Sequence, residues 1–143
     1  MRIMVLNGPN INLLGKREPD VYGREDYNAL CERVTAGAKA RGITVTIRQS
    51  NHEGQLVDWV QEADDQFDGI VMNPAAYTHT SIALLDAIKA IGIPVVEVHL
   101  SDISKREAFR QHSMTASACI SQIYGHGTKG YIMALDVLLN QQR

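Results

Sequence analysis

The groups able to move protons gather in a few short stretches. Asn7, Asn10 and Asn12 come first, followed by Lys16, Arg17, Glu18 and Tyr22. "NPAAYTHTS" (73–81) supplies Asn73, Tyr77, Thr78, His79 and Ser81, and "EVHLSD" (97–102) supplies Glu97, His99, Ser101 and Asp102, with Arg106 and Arg110 following on a short helix. Acid–base chemistry without a cofactor needs a base and an acid on opposite sides of a substrate. Tyr22 is a candidate base because Arg17 precedes it closely. A free phenol with pKa about 10 is ionised to roughly one part in a thousand at neutral pH, and a nearby positive charge lowers a pKa by about 1–3 units. His99 is the candidate acid. Glu97, two residues earlier on the same face of a strand, could orient its ring. Asn10 could hold a water against a developing enolate, and Arg110 could clamp a carboxylate. Plainer alternatives exist for some: Tyr22 packing its ring in a loop, His79 capping a helix, Arg106 and Arg110 forming a solvated face.

Other chemistries fit less well. His52, His79, His99, His112 and His126 lack a paired-ligand spacing, so no metal is expected. Ser81, Ser101 and Ser113 sit in no G-x-S-x-G turn. The net charge of -2 offers no basic footprint for nucleic acid and no polybasic patch for a membrane. The partner expected is a small molecule. Cys31 and Cys119 lie far apart and read as reduced thiols in the cytoplasm. The opening "MRIMVLNGPN" is too short in apolar residues for a signal peptide, and no stretch is long enough to span a bilayer.

The elements that must position these groups are five short β-branched runs: 3–6, 43–48, 69–73, 94–100 and 118–123. Helical spacing lies between them, at Leu30, Val34 and Ala38; at Leu56, Val60 and Ala63; at Ile82, Leu85, Ile88 and Ile91; and at Tyr131, Leu135 and Leu138 with Leu139. Such alternation predicts an α/β protein: a flavodoxin-like, doubly wound, five-stranded parallel sheet of order 2-1-3-4-5 with helices on both faces. At 143 residues it forms one domain, 1–143. Ligands of such sheets bind at the carboxyl ends of the strands, where the proton-moving groups fall. The connection after the first strand is too long for an ordinary βα loop, which leaves a lid or disorder; with Arg17 and Tyr22 placed at the same edge as His99 and Asn73, residues 16–24 read as a lid. A receiver domain would need acidic residues where Asn10 and Asn73 stand, and a flavodoxin would need a phosphate loop that "NGPNINLLGKREP" does not provide. Asp86 lies seven residues beyond His79, about 10 Å along a helix. It should pair at the surface or reach a neighbouring subunit.

"LNGPNINLLGKREPDVYG" (6–23), "SNHEG" (50–54), "NPAAYTHTSIALLDAI" (73–88), "VEVHLSD" (96–102), "FRQHS" (109–113) and "GTKGY" (127–131) together closely resemble type II 3-dehydroquinate dehydratase over essentially the whole chain. The resemblance implies a hydro-lyase of the shikimate pathway, which removes water from 3-dehydroquinate to give 3-dehydroshikimate without a cofactor or metal. It assigns proton abstraction to Tyr22, stabilisation of phenolate and transition state to Arg17, the enolate-binding water to Asn10 and proton donation to His99. Substrate binding falls on Asn73, His79, Leu100, Ser101 and Arg110, and on Asp86 from an adjacent subunit of a homo-oligomer, a dodecamer built from four trimers. Two departures stand out. Asp102 replaces a common Asn and would put an extra carboxylate near the pocket unless Lys105 or Arg106 pairs with it, which would favour a binding protein that keeps the scaffold without turnover. "NPAAY" in place of "NPGAY" reads as the milder change.

Overall fold

Each strand ends where an apolar run gives way to polar residues, and those ends share one edge of the sheet. The structure, a computed structural model, describes residues 1–16, 20 and 25–141. The predicted lid therefore lies almost wholly outside the described residues, Arg17 and Tyr22 with it. Strands β1 (Arg2–Asn7), β2 (Thr44–Gln49), β3 (Gly69–Asn73), β4 (Val95–His99) and β5 (Ser121–Tyr124) form one parallel sheet of order β2-β1-β3-β4-β5. Helices α1 (Tyr27–Ala40), α2 (Glu53–Gln66), α3 (Ile82–Ala90) and α4 (Lys129–Gln141) cover it on both faces.

The two-residue period of the strands divides the core. Ile3, Val5, Val71, Val96 and Val98 pack with Leu30, Val34 and Ala38 of α1 and with Tyr131, Ala134, Leu135 and Leu138 of α4. Met4, Leu6, Ile70, Met72 and Val95 pack with Leu56, Val60 and Ala63 of α2 and with Leu84, Ala87 and Ile88 of α3. Burial on both faces is what a parallel sheet requires, and it explains the near-continuous apolar strands. Helix starts follow from capping: the Asp26 side chain accepts from Ala29 N (2.8 Å) and the Ser81 hydroxyl from Leu84 N (2.9 Å). After α1, Gly42 turns the chain with φ +69°.

Three sequence expectations need correction. The buried stripe of α3 is Leu84, Ala87 and Ile88, while Ile82 is 57% exposed. "IALLDAI" carries apolar residues on two adjacent stripes, and the i, i+3, i+4 stripe is the one facing the sheet. The fifth strand begins at Ser121 rather than 118, because Ala116–Ala118 form a 3₁₀ turn. That turn follows from tethering: Ser113 and Thr115 are tied by side-chain hydrogen bonds to Glu97, so the chain must bend before it reaches the ladder. Arg106 and Arg110 lie not on one short helix but at the ends of two 3₁₀ turns, Ile103–Lys105 and Ala108–Arg110.

Candidate active site

A pocket of about 170 Å³ opens at the carboxyl edge of β1, β3 and β4. Its walls include Asn10, Asn73, His79, His99, Leu100, Ser101, Arg106 and Arg110, with Ile11, Leu14 and Ile103 supplying an apolar side. His99 is the last residue of β4, and strand alternation puts Glu97 on the same face beneath it. His99 Nε2 donates to Glu97 Oε2 at 2.8 Å, so the other ring nitrogen is the one left for a ligand.

Glu97 is fully buried, yet it is held as a carboxylate. Burial pushes its pKa up, but the hydrogen bond and charge of His99, together with the hydroxyls of Thr115 and Ser113, outweigh that and bring it below its ordinary value. Ser113 Oγ donates to Oε2 at 2.8 Å, Thr115 Oγ1 donates to Oε1, and Gln122 Nε2 donates to Oε2 at 2.9 Å. Thr78 Oγ1 in turn lies 2.8 Å from both hydroxyls, closing the cage from the loop after β3. Burial, helped by the same carboxylate, pushes the Cys119 thiol up to about 12, which keeps it neutral.

The opposite wall comes from the loops after β1 and β3, which are stitched together. Gly8 N donates to Asn73 O at 2.8 Å, and a Cβ at Gly8 would come within 2.4 Å of Pro74 O, so only glycine allows this approach. Asn10 adopts φ +70°, a conformation Asn tolerates better than most residues, and its N–H donates to Asn51 Oδ1 at 3.0 Å. Asn73 ends β3 and is 3% exposed, with Oδ1 accepting from Ala75 N at 3.0 Å. On the third side, His79 Nδ1 donates to His112 O at 2.8 Å, and Arg110 Nε donates to Glu107 Oε2 at 2.8 Å. Arg106 Nη1 reaches Ser101 Oγ at 3.4 Å. Two guanidinium groups, a buried imidazole backed by a carboxylate, and amide donors suit a small, oxygen-rich anion on which a proton can be moved.

The family model described as Dehydroquinase class II matches residues 1–139. The chain belongs to the type II dehydroquinase family. A 3-dehydroquinate dehydratase of Halalkalibacterium halodurans is 51% identical over 141 residues, 99% of this chain and 97% of that one. The type II dehydroquinase structure from Butyrivibrio crossotus superposes with a TM-score of 0.96 at 48% identity, covering 97% of each chain. That from Propionibacterium acnes gives 0.94 at 40% identity, covering 97% of this chain and 96% of the other.

Within this dehydroquinase fold, eight residues singled out from the sequence meet at the pocket: Asn10, Asn73, His79, His99, Leu100, Ser101, Arg106 and Arg110. Glu97 lies directly behind them. Asp86 does not join them; it is an exposed residue on α3 and does not line the pocket. Arg17 and Tyr22 lie outside the described residues. Asp102, the departure that suggested a surplus carboxylate, also stays off the pocket wall. It caps the Ile103–Lys105 turn, with Oδ1 accepting from Ser104 N (3.0 Å) and Ser104 Oγ (2.5 Å), and Lys105 Nζ lies 3.9 Å from Oδ2. Sequence reasoning missed the cage of Thr78, Ser113, Thr115 and Gln122. Ser113 falls inside the "FRQHS" motif and Thr78 inside "NPAAYTHTS", but nothing in their spacing points at Glu97. Among the described residues, no group of three or more His, Cys, Asp or Glu could share a metal ion, and no helix is long and apolar enough to cross a membrane.

Proposed function

We propose that this pocket dehydrates 3-dehydroquinate to 3-dehydroshikimate, a cofactor-independent hydro-lyase step in the shikimate route to aromatic amino acids. The observation that carries the reading is the buried His99–Glu97 pair opening onto a pocket with Asn10, Asn73 and two arginines on its walls. The roles follow the family pattern. Tyr22, as a phenolate stabilised by Arg17, takes the proton next to the ketone. The electron pair moves onto the ketone oxygen, and the resulting enolate is held by a water on Asn10. His99 then gives its proton to the departing hydroxyl, which leaves as water while the enolate collapses to the enone. Glu97 offsets the charge the ring carries before that transfer. Arg110 takes the substrate carboxylate, while Asn73, His79, Ser101 and the Leu100 backbone hold the ring oxygens.

Asp86 joins the site from a neighbouring copy, in trimers that assemble into a dodecamer. Its position on α3 beside exposed Ile82 is consistent with a helix face that another subunit covers. The chain acts as a single catalytic domain, with residues 16–24 closing over bound substrate, in the cytoplasm. The test is direct. Purified protein should generate a near-ultraviolet enone absorbance from 3-dehydroquinate, and Tyr22→Phe should lower kcat by about 10²–10⁴-fold. Well-folded protein that produces no enone would refute the dehydratase reading, and full activity in Tyr22→Phe would remove Tyr22 as the base.

A further inference from the structure

Behind the pocket wall, on the face of the sheet away from His99, β1 and β3 end on asparagines in register, Asn7 beside Asn73. Both are buried, and fully buried Tyr131 of α4 lies across them. Its hydroxyl donates to Asn7 Oδ1 at 2.6 Å and accepts from Asn73 Nδ2 at 2.9 Å. We propose that Tyr131 is a positioning residue for the dehydration, fixing the Asn73 amide so that it offers the pocket an N–H donor. This rests on the dehydratase reading above.

The polarity of the chain follows from its fixed end. Ala75 N–H is a backbone donor that cannot reverse, and it takes Asn73 Oδ1. Asn73 must then turn Nδ2 toward Tyr131. A hydroxyl has one proton; with Asn73 donating to its oxygen, Tyr131 is free to send that proton to Asn7 Oδ1. A flipped Asn73 would set Nδ2 against the Ala75 N–H and Oδ1 against an oxygen whose proton is already committed. Two buried groups would then be unpaired at once. The far end of the chain shows what this order costs. Asn7 Nδ2 is left without a hydrogen-bond partner among the described residues; the Tyr27 phenol feels the amide but lies outside hydrogen-bond geometry. Reversing Asn7 would satisfy that nitrogen, but would either leave the Tyr131 proton without an acceptor or pass the reversal on to Asn73. One Asn73 N–H has no partner among the described residues, and Asn73 lines the pocket. It can serve a substrate oxygen only as a donor.

The experiment is a double-mutant cycle on the full enzyme, read as kcat and KM with 3-dehydroquinate. Tyr131→Phe keeps the ring and should lower kcat/KM about tenfold, mainly through KM, by releasing the amide. In an Asn73→Ala background the same substitution should change kcat/KM less than about twofold, because the group it positions is gone. A purely structural role would give equal losses in both backgrounds. Equal losses, or a Tyr131→Phe enzyme within twofold of wild type, would overturn the proposal. Should Tyr131→Phe fail to fold, Asn7→Ala leaves Tyr131 in place, removes the acceptor of its proton and is read in the same cycle against the same criterion. A wild-type enzyme that forms no enone would instead sink the functional reading, and the positioning role of Tyr131 with it.

Discussion

His99 Nε2 stands 2.8 Å from the Oε2 of a carboxylate with no exposure to solvent, Glu97. A buried anion is held only when donors surround it, and here it takes His99, Ser113, Thr115 and Gln122. The pair fixes which ring nitrogen faces the ligand. His99→Ala should therefore cut kcat by about 10²–10⁴-fold while near-ultraviolet circular dichroism stays native. Glu97→Gln keeps the shape but sets an NH₂ group among donors, and should cost about 10–100-fold in kcat, the loss seen when a metal-bound histidine is deprived of its orienting carboxylate. A His99→Ala enzyme with near-normal kcat would remove His99 as the acid.

The same cage makes stability depend on pH in a definite direction. Glu97 titrates below its ordinary value of 4.5 in the folded protein, so the unfolded chain binds the proton more readily. The stability it contributes is fully present above about 4.5 and fades as pH falls through the folded pKa. Urea unfolding measured from pH 7 to pH 3 should show that loss in wild type. Thr115→Val removes one donor, raises the folded pKa and should lower stability at pH 7 by about 1–3 kcal/mol. Its acid loss should then be shallower. An unchanged acid profile in Thr115→Val would show that Thr115 does not hold the carboxylate.

Much of this was legible because period and position suffice for it. Strand alternation alone puts Glu97 under His99, and the carboxyl-edge rule gathers Asn10, Asn73, His79 and His99 at one edge. What escaped has a common physical character. Ser113 and Thr115 reach Glu97 from 16 and 18 residues away through an irregular segment. Tyr131 reaches Asn7 across 124 residues. Contacts of that kind depend on where a loop or a helix face is carried by the whole fold, and no local pattern encodes them. The stripe of α3 was misread for a related reason, since two apolar stripes compete in nine residues and only the sheet decides between them.

Asp102 illustrates a residue whose type misleads until its conformation is known. Its carboxylate accepts from Ser104 and faces Lys105, and a helix-capping Asn serves the same backbone N–H about as well. Asp102→Asn should therefore leave KM for 3-dehydroquinate within about twofold, and stability within about 0.5 kcal/mol, of wild type. A severalfold fall in KM would mean that the carboxylate repels the substrate after all.

Ala75 makes the opposite case, a change that reads as mild in the sequence and is strained in the fold. Its φ is +53°, in the left-handed region that favours glycine. That conformation costs an L-residue about 1–2 kcal/mol. It persists because it aims the Ala75 N–H at Asn73 Oδ1, and because the methyl packs against the core shared by α1 and α4. Ala75→Gly removes the strain and keeps the N–H, at the expense of about 0.4–1 kcal/mol of added freedom in the unfolded chain. The balance predicts a gain of up to about 1 kcal/mol, seen as a Tm higher by roughly 2–4 °C at most, with KM unchanged. A lower Tm in Ala75→Gly would mean that the methyl contacts outweigh the strain. A raised KM at normal Tm would mean that the side chain at 75 is needed to keep the Asn73 amide in place.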